Sequence, residues 1–530
     1  MRVRYMVVVI LVTMSTIVFA GGGAERASGP QRSLTVSMAG EADTLDPHVT
    51  GARRAYTVMM NVFETLVYRD ADNVYQPGLA TEWSWNDAGT VYTFRLREGV
   101  TFHDGAPFNA QAVVYNLDRI ADPALQSRFA TNALGPYESS RAIDDYTVEI
   151  RYASPIAASL LLDAFSQAYL GMISPVAGER YGYDDFGRNP VGTGPFVFQQ
   201  WTAQNRITLV RNDAYNWAGP AFSSQGPAWL ERVTFITIPE DSTRAATLET
   251  GESDVALELG EEASELLERN PAFQVKRGDV PGSPIIFWMN VEHPMLEDIR
   301  VRRAILHAFD QNVLANTIFR GRVTPAFGPL SPVTWGYNPA VEAMYPFDLS
   351  RAAALLDDAG WRLNAATGFR EKNGTQLSFD INDILERRRI EFFQAQMRTI
   401  GIDVKANAVT SDTLFAITRA ADTYAMASTW WAYSDPDVLR VLYHSSNIGT
   451  GFAISRYASA QLDSMLMAAL SEIDPDARRA RYYEIQEFIM DRALIVPVYA
   501  RQVYDGLKAS ITGYRIDRGQ YPVLYDVRIE

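Results

Sequence analysis

The chain has 530 residues, 47% of them hydrophobic and 21% charged. That is an ordinary globular composition and too long for one simple core, so roughly two or three subdomains are expected. A formal net charge of −15 argues against nucleic acid and anionic lipid as partners, because both select clustered positive charge. With no cysteine at all, disulfides, thiolate metal sites, thiol nucleophiles and a lipid-modified cysteine anchor are excluded.

In chain order, Arg2 and Arg4 precede an apolar run from Met6 to Phe19 broken only by Thr13, Ser15 and Thr16. The run is shorter than the about 20 residues that span a bilayer. With Val18-Phe19-Ala20 at its end, it has the layout of a secretory signal peptide cut after Ala20. A small, polar, Gly-rich leader follows to Gln31. An exported chain without a direct membrane anchor, free in a periplasm, is therefore expected.

Beyond Ser33, strand and helix signals alternate to the end. Tyr92, Phe94 and Leu96 alternate with polar residues, as do Tyr146, Val148, Ile150 and Tyr152. This period of two predicts half-buried strands. Ile207 and Leu209 repeat it, and the stretch Val233 to Ile238 does so more loosely. Asp298 precedes the apolar stripe Val301, Ala304, Ile305, Ala308 and Phe309. Asp348 can cap a helix carrying Leu349, Ala352, Ala353, Leu356 and Ala359, which Gly360 stops. A further helix is predicted from about Arg478 to Met490, ahead of a buried strand Ile495 to Tyr499. Mixed strands and helices throughout predict an α/β protein.

Catalytic signatures are scarce. The histidines His48, His103, His293, His307 and His444 are scattered, and no pair has metal-ligand spacing. Neither a GxSxG elbow nor an HExxH helix occurs. Gly192-Thr193-Gly194-Pro195 lacks the lysine of a phosphate loop and reads as a tight turn entering a strand Phe196 to Gln199. No cofactor and no metal are expected.

The stretch Trp430-Trp431-Ala432-Tyr433-Ser434-Asp435-Pro436-Asp437 places three large aromatics before a turn. Adjacent residues of a strand point to opposite faces, so one core face cannot take both tryptophans. The second must meet another layer, solvent or a cleft, where aromatic surface beside polar turn atoms suits a ligand.

Longer motifs then carry a resemblance. Leu79-Ala80-Thr81-Glu82-Trp83, followed by the unbroken run Tyr92 to Phe108 containing Gly99-Val100-Thr101-Phe102-His103-Asp104-Gly105, resembles the hallmark segment of the bacterial family 5 extracellular solute-binding proteins. These are the dipeptide-, oligopeptide- and nickel-binding components of ATP-driven (ABC) importers. Leu45-Asp46-Pro47-His48, Pro190 to Phe196, Leu248 to Val255, Val301-Arg302-Arg303-Ala304 and the segment Ala353 to Trp361 are similar to further family blocks, in the family's order.

The resemblance implies a two-lobed, hinged periplasmic binding-protein fold with an extra subdomain beside the first lobe. The expected division is a signal peptide 1–20, a leader 21–32, lobe I from 33–60, 187–278 and 502–530, an extra subdomain 61–186, and lobe II 279–501. The implied function is capture of a peptide-like or other small organic solute by a monomer, and its delivery to a permease without chemistry. An oligosaccharide ligand is the alternative, and an exported hydrolase a remote one. Ligand contacts are expected at Thr50 and Gly51 on one lobe and at Thr429, Trp430, Trp431, Ala432, Tyr433 and Asp435 on the other. Peptide-binding relatives hold the ligand's ammonium with an Asp where this chain has Ala432. Glu41, Asp43 or Asp435 could compensate.

Overall fold

The computed structural model describes residues 32–70, 74–127, 129–220, 222–384, 387–517 and 519–530. The expected signal peptide, its cut after Ala20 and the leader up to Gln31 lie outside the described residues.

Three sheets organise the chain. The largest has seven strands, in the order Phe273–Asp279, Gln502–Lys508, Val255–Leu259, Ser33–Met38, Arg232–Thr237, Arg206–Arg211 and Phe196–Thr202. Ser33–Met38 runs parallel to both of its neighbours, and the remaining pairs are antiparallel. A second sheet has six strands, in the order Thr324–Pro325, Ile495–Ala500, Gly282–Met289, Met426–Ala432, Ser378–Asp383 and Asp403–Ala408. Every residue of Gly282–Met289 and Ile495–Ala500 is buried, as strands covered on both faces require. The third sheet has four antiparallel strands, in the order Ala80–Trp85, Val91–Leu96, Thr147–Tyr152 and Tyr137–Asp144.

Each large sheet has its own core. One core gathers residues between Leu34 and Leu257 and again between Leu507 and Val527, the four-stranded sheet included. The other gathers residues between Ile285 and Tyr499. The chain crosses between the two large sheets side by side at Val280–Pro281 and at Arg501, where the Val280 amide donates to the Arg501 carbonyl at 3.0 Å.

The predicted elements form for the reasons their sequences suggest. Tyr92, Phe94, Leu96, Val148, Ile150 and Tyr152 are buried on one face of the four-stranded sheet. Asp298 and Asp348 cap helices Ile299–His307 and Leu349–Asp358 through backbone amides at 2.9 Å, and Gly360 follows the second helix at φ +87°. The helix predicted from Arg478 begins earlier, as Pro475–Asp491. Asp474 caps it at 2.8 Å, and Pro475 fits the first turn, where its missing N–H has no partner to lose.

Two buried polar knots tie the opening segment to the rest. Arg119, from helix Ala110–Ala121, donates to Asp46 Oδ2 at 2.5 Å and to His48 Nδ1 at 2.8 Å. A guanidinium has no acceptor, so Nδ1 carries no proton and Nε2–H donates to the Gly171 carbonyl at 2.9 Å. Burial first, and then the Arg119 charge, push the His48 pKa down to about 3. Burial likewise lowers His103 to about 4, with its Nε2 on the Gly194 carbonyl. Both rings should therefore stay neutral at pH 5, and NMR of ring-¹⁵N-labelled protein should show single-tautomer shifts there. Titration of either ring near pH 6.5 would contradict this packing.

The second knot is the Glu64 carboxylate, which accepts from Tyr68 Oη, Tyr215 Oη, Thr193 Oγ1 and Trp217 Nε1 at 2.7–2.9 Å. Thr193 belongs to the Gly192–Pro195 turn. A side chain at Gly192 or Gly194 would collide with the Val62 carbonyl at 2.2 or 2.7 Å. The glycines allow close backbone packing, and the turn leads into strand Phe196–Thr202.

Candidate functional site

The carboxyl end of strand Met426–Ala432 leaves the six-stranded sheet beside the crossing at Val280–Pro281. Gly282 pairs with Ala432 and Ser283 with Trp431, and then the register shifts before Ile286 pairs with Thr429. The irregularity falls at Pro284, which has no amide for the ladder. Gly282 sits at φ +104°, and a Cβ there would lie 2.4 Å from the Trp431 carbonyl and 2.5 Å from the Tyr433 amide. Only glycine lets the two segments approach so closely. The result is that the 430–434 backbone is held at an open edge.

There it borders a cavity of about 320 Å³ lined by Gly51, Arg53, Tyr56, Phe129, Asp163, Gln167, Tyr169, Pro281, the segment Trp430 to Ser434, and Gly519, Gln520 and Tyr521. A wider recess of about 670 Å³ at Asp383–Gln394 and Ala406–Val409 draws on one edge of the six-stranded sheet alone. The smaller cavity draws on segments packed with both large cores.

Seven aromatic residues line it: Tyr56, Phe129, Tyr169, Trp430, Trp431, Tyr433 and Tyr521. Tyr56 packs edge-on against Tyr169 and Tyr521, with centroids 6.1 and 5.9 Å away, and its hydroxyl donates to the Thr50 carbonyl at 2.6 Å. Trp431 meets Trp288 at 5.9 Å and Phe452 at 5.3 Å. Trp430 faces the other way, with the Arg501 guanidinium 3.9 Å from its ring centre. The two tryptophans thus occupy opposite sides, as strand alternation requires, and both are half-buried.

Of the residues singled out in the sequence, Gly51, Trp430, Trp431, Ala432 and Tyr433 come together at this cavity. Thr50, Thr429 and Asp435 do not line it. The Thr50 hydroxyl donates to both oxygens of Asp43 at 2.8 and 2.9 Å. Thr429 is buried between strands and accepts from Trp288 Nε1 at 3.3 Å. Asp435 forms two bonds of 2.8 Å with Arg478 beneath the turn. The suggested substitutes for an ammonium anchor are engaged too: Glu41 accepts from Trp201 Nε1 at 2.5 Å, and Asp43 holds Thr50.

The carboxylate that does line the cavity is Asp163, from helix Ala158–Ala164. It is ion-paired with Arg69. Burial raises its pKa to about 6, against the pull of Arg69 and helped by nearby Asp435. Arg53, the lining cation, is bound by Glu258 and by the carbonyls of Gly519 and Gln520. Sequence reasoning missed Asp163, Arg53 and the Tyr56, Phe129, Tyr169 and Tyr521 rings, which no local motif marks.

Two large α/β bodies joined by paired crossings, with an aromatic cavity beside the crossings, define a two-lobed binding protein. The chain belongs to the bacterial extracellular solute-binding proteins, family 5, whose model matches residues 74–450. It is 30% identical over 505 residues, 92% of either chain, to the glutathione-binding protein GsiB of Salmonella typhi. Among solved structures it resembles HbpA2 from Haemophilus parasuis, with 25% identity, TM-score 0.80 and coverage of 94% of this chain and 100% of that one. It also resembles the ABC transporter-associated periplasmic binding protein DppA from Helicobacter pylori in complex with peptide STSA, with 26% identity, TM-score 0.73 and coverage of 94% and 98%. The family's proteins are the substrate-binding components of ABC importers, and this chain is one of them. Among the described residues, no helix is long and apolar enough to cross a membrane.

Proposed function

We propose that this chain works in the periplasm as a monomer, captures a small peptide-like solute in the aromatic cavity, and presents it to an ABC permease without chemical change. The observation that carries this reading is the cavity itself: aromatic surface from both bodies, closed around a few polar groups that are already paired. Relatives named for glutathione binding and for a bound peptide point to the same ligand class. In this reading 33–60, 187–278 and 502–530 form lobe I, 61–186 the extra subdomain and 279–501 lobe II, with export directed by residues 1–20 and cleavage after Ala20. Six strands of the seven-stranded sheet fall wholly in the lobe I ranges, and the seventh, Phe273–Asp279, ends one residue beyond 278. Ligand touching both lobes favours the closed arrangement by the contacts it gains there. Within the site, Gly51, Trp430, Trp431, Ala432 and Tyr433 are proposed to contact ligand directly, with Thr50, Thr429 and Asp435 supporting them.

A peptide at about 100 times its dissociation constant should stabilise the mature protein by about 2.7 kcal/mol, raising its melting temperature by a few degrees. Calorimetry with short peptides, oligosaccharides and glutathione tests the ligand class. Mass spectrometry of the recovered ligand tests for turnover. A shift with oligosaccharides alone would move the ligand to the sugars that the aromatic faces also suit, and product formation would refute a pure binding role.

A further inference from the structure

Arg501 lies at the second crossing between the large sheets, between the buried strand Ile495–Ala500 and strand Gln502–Lys508. Its guanidinium rests on the Trp430 ring at 3.9 Å, and Trp430 lines the cavity. The side chain is half-buried. Among the described residues, no carboxylate or carbonyl oxygen hydrogen-bonds to it.

The charged groups around it are already matched. Glu258 is bound by Arg53. Glu261 lies 3.7 Å from Arg388. Arg53 itself adds a second positive charge nearby, and burial lowers the pKa of Arg501, an effect that Tyr499, Glu258 and Glu261 oppose. In the cavity proper, Asp163 is balanced by Arg69 and Arg53 by Glu258. Arg501 thus has one face covered by indole, and among the described residues its N–H edge has no protein acceptor.

A planar fork of this kind matches a carboxylate in two parallel charge-assisted bonds. Stacking on Trp430 fixes the plane of the fork without using its donors. We propose that Arg501, which does not line the cavity itself but stacks on Trp430, which does, is a specificity-determining residue: it receives a carboxylate of the ligand, so the protein selects short peptides and related organic acids by their free acid end. The proposal rests on the peptide-binding reading above and deepens it. No unpaired carboxylate lines the cavity, so a free amino end is not required. Because Arg501 sits at a crossing, the same contact ties ligand to the segment about which the two bodies can move.

The test uses the full mature protein and an equimolar tripeptide library in three forms: free acid, C-terminal amide and N-acetylated acid. Peptides retained after rapid gel filtration are counted by mass spectrometry for the wild type and for Arg501→Lys and Arg501→Gln. The expected result is retention of free and N-acetylated acids at least about tenfold above amides, the scale of one charge-assisted pair. Arg501→Gln should abolish that preference while still binding some peptide, and Arg501→Lys should keep part of it. Equal retention of amides and acids by the wild type, or an undiminished acid preference in Arg501→Gln, overturns the assignment. Displacement of the acids by excess inorganic phosphate as effectively as by acetate would reassign the fork to phosphoryl groups and likewise overturn it. Retention of no library form overturns the peptide reading, and this proposal with it. If Arg501→Gln fails to fold, the acid-to-amide ratio in the wild type and in Arg501→Lys decides the matter.

Discussion

Asp435→Ala is expected to cost about 3–5 kcal/mol of stability, the scale for removing one partner of a buried ion pair. Arg478 is fully buried, and Asp435 supplies both of its 2.8 Å carboxylate bonds. The remaining partners of Arg478 are neutral: the Ala469 carbonyl at 3.1 Å, Ser159 Oγ at 3.1 Å and Tyr482 Oη at 3.2 Å. Without Asp435 a buried cation therefore loses the one carboxylate that, among the described residues, is ion-paired with it. The loss would also free the Asp437 amide, which donates to Asp435 Oδ1 at 2.8 Å, and so loosen the turn that follows the cavity strand. Asp476→Ala is the matched control. Its pair with Arg479 is exposed, with the Asp476 side chain 87% accessible, and such pairs contribute about 0–1 kcal/mol. Denaturant midpoints of the two variants should differ clearly. If they coincide, the Asp435–Arg478 pair is not what holds this corner.

The same residue shows where the sequence was readable and where it was not. Strands such as Val91–Leu96 and the helices capped by Asp298 and Asp348 depend on period and local capping, both visible in a few consecutive residues. The aromatic segment was also visible, because two adjacent tryptophans conflict with a single core face. Asp435, Thr50 and Thr429 looked like site residues by position. Their side chains are taken by Arg478, Asp43 and Trp288, and two of these partners lie more than forty residues or over a hundred residues away in the chain. Only the fold decides such competition. Tyr56, Phe129, Asp163, Tyr169 and Tyr521 could not be assembled from sequence, since four well-separated segments contribute them. Arg501 left little trace: it follows the apolar run Ile495–Ala500, but the next strand, Gln502–Lys508, carries polar and charged residues of its own.

Trp430→Ala and Trp431→Ala should fail in different ways. Trp431 packs on Trp288 at 5.9 Å, on Phe415 at 6.4 Å and on Phe452 at 5.3 Å, extending the second core. Its truncation should lower stability by about 2–4 kcal/mol, somewhat under the range for a fully buried tryptophan because the ring is only half-buried. Trp430 contributes a face to the cavity and a seat for Arg501. Its truncation removes ligand stacking and frees the guanidinium to turn away. Affinity should then fall on the order of ten- to a hundredfold, about 1–3 kcal/mol. Melting temperature should change less than in Trp431→Ala, since the lost cation–π contact is worth only about 0.5–2 kcal/mol. Paired thermal melts and calorimetric titrations with a binding peptide separate the two effects. Two variants that both melt early and yet bind normally once folded would make the segment core and leave the cavity without its proposed aromatic wall. A Trp430→Phe protein that recovers most of the affinity would show that a flat ring against Arg501 is what the site needs.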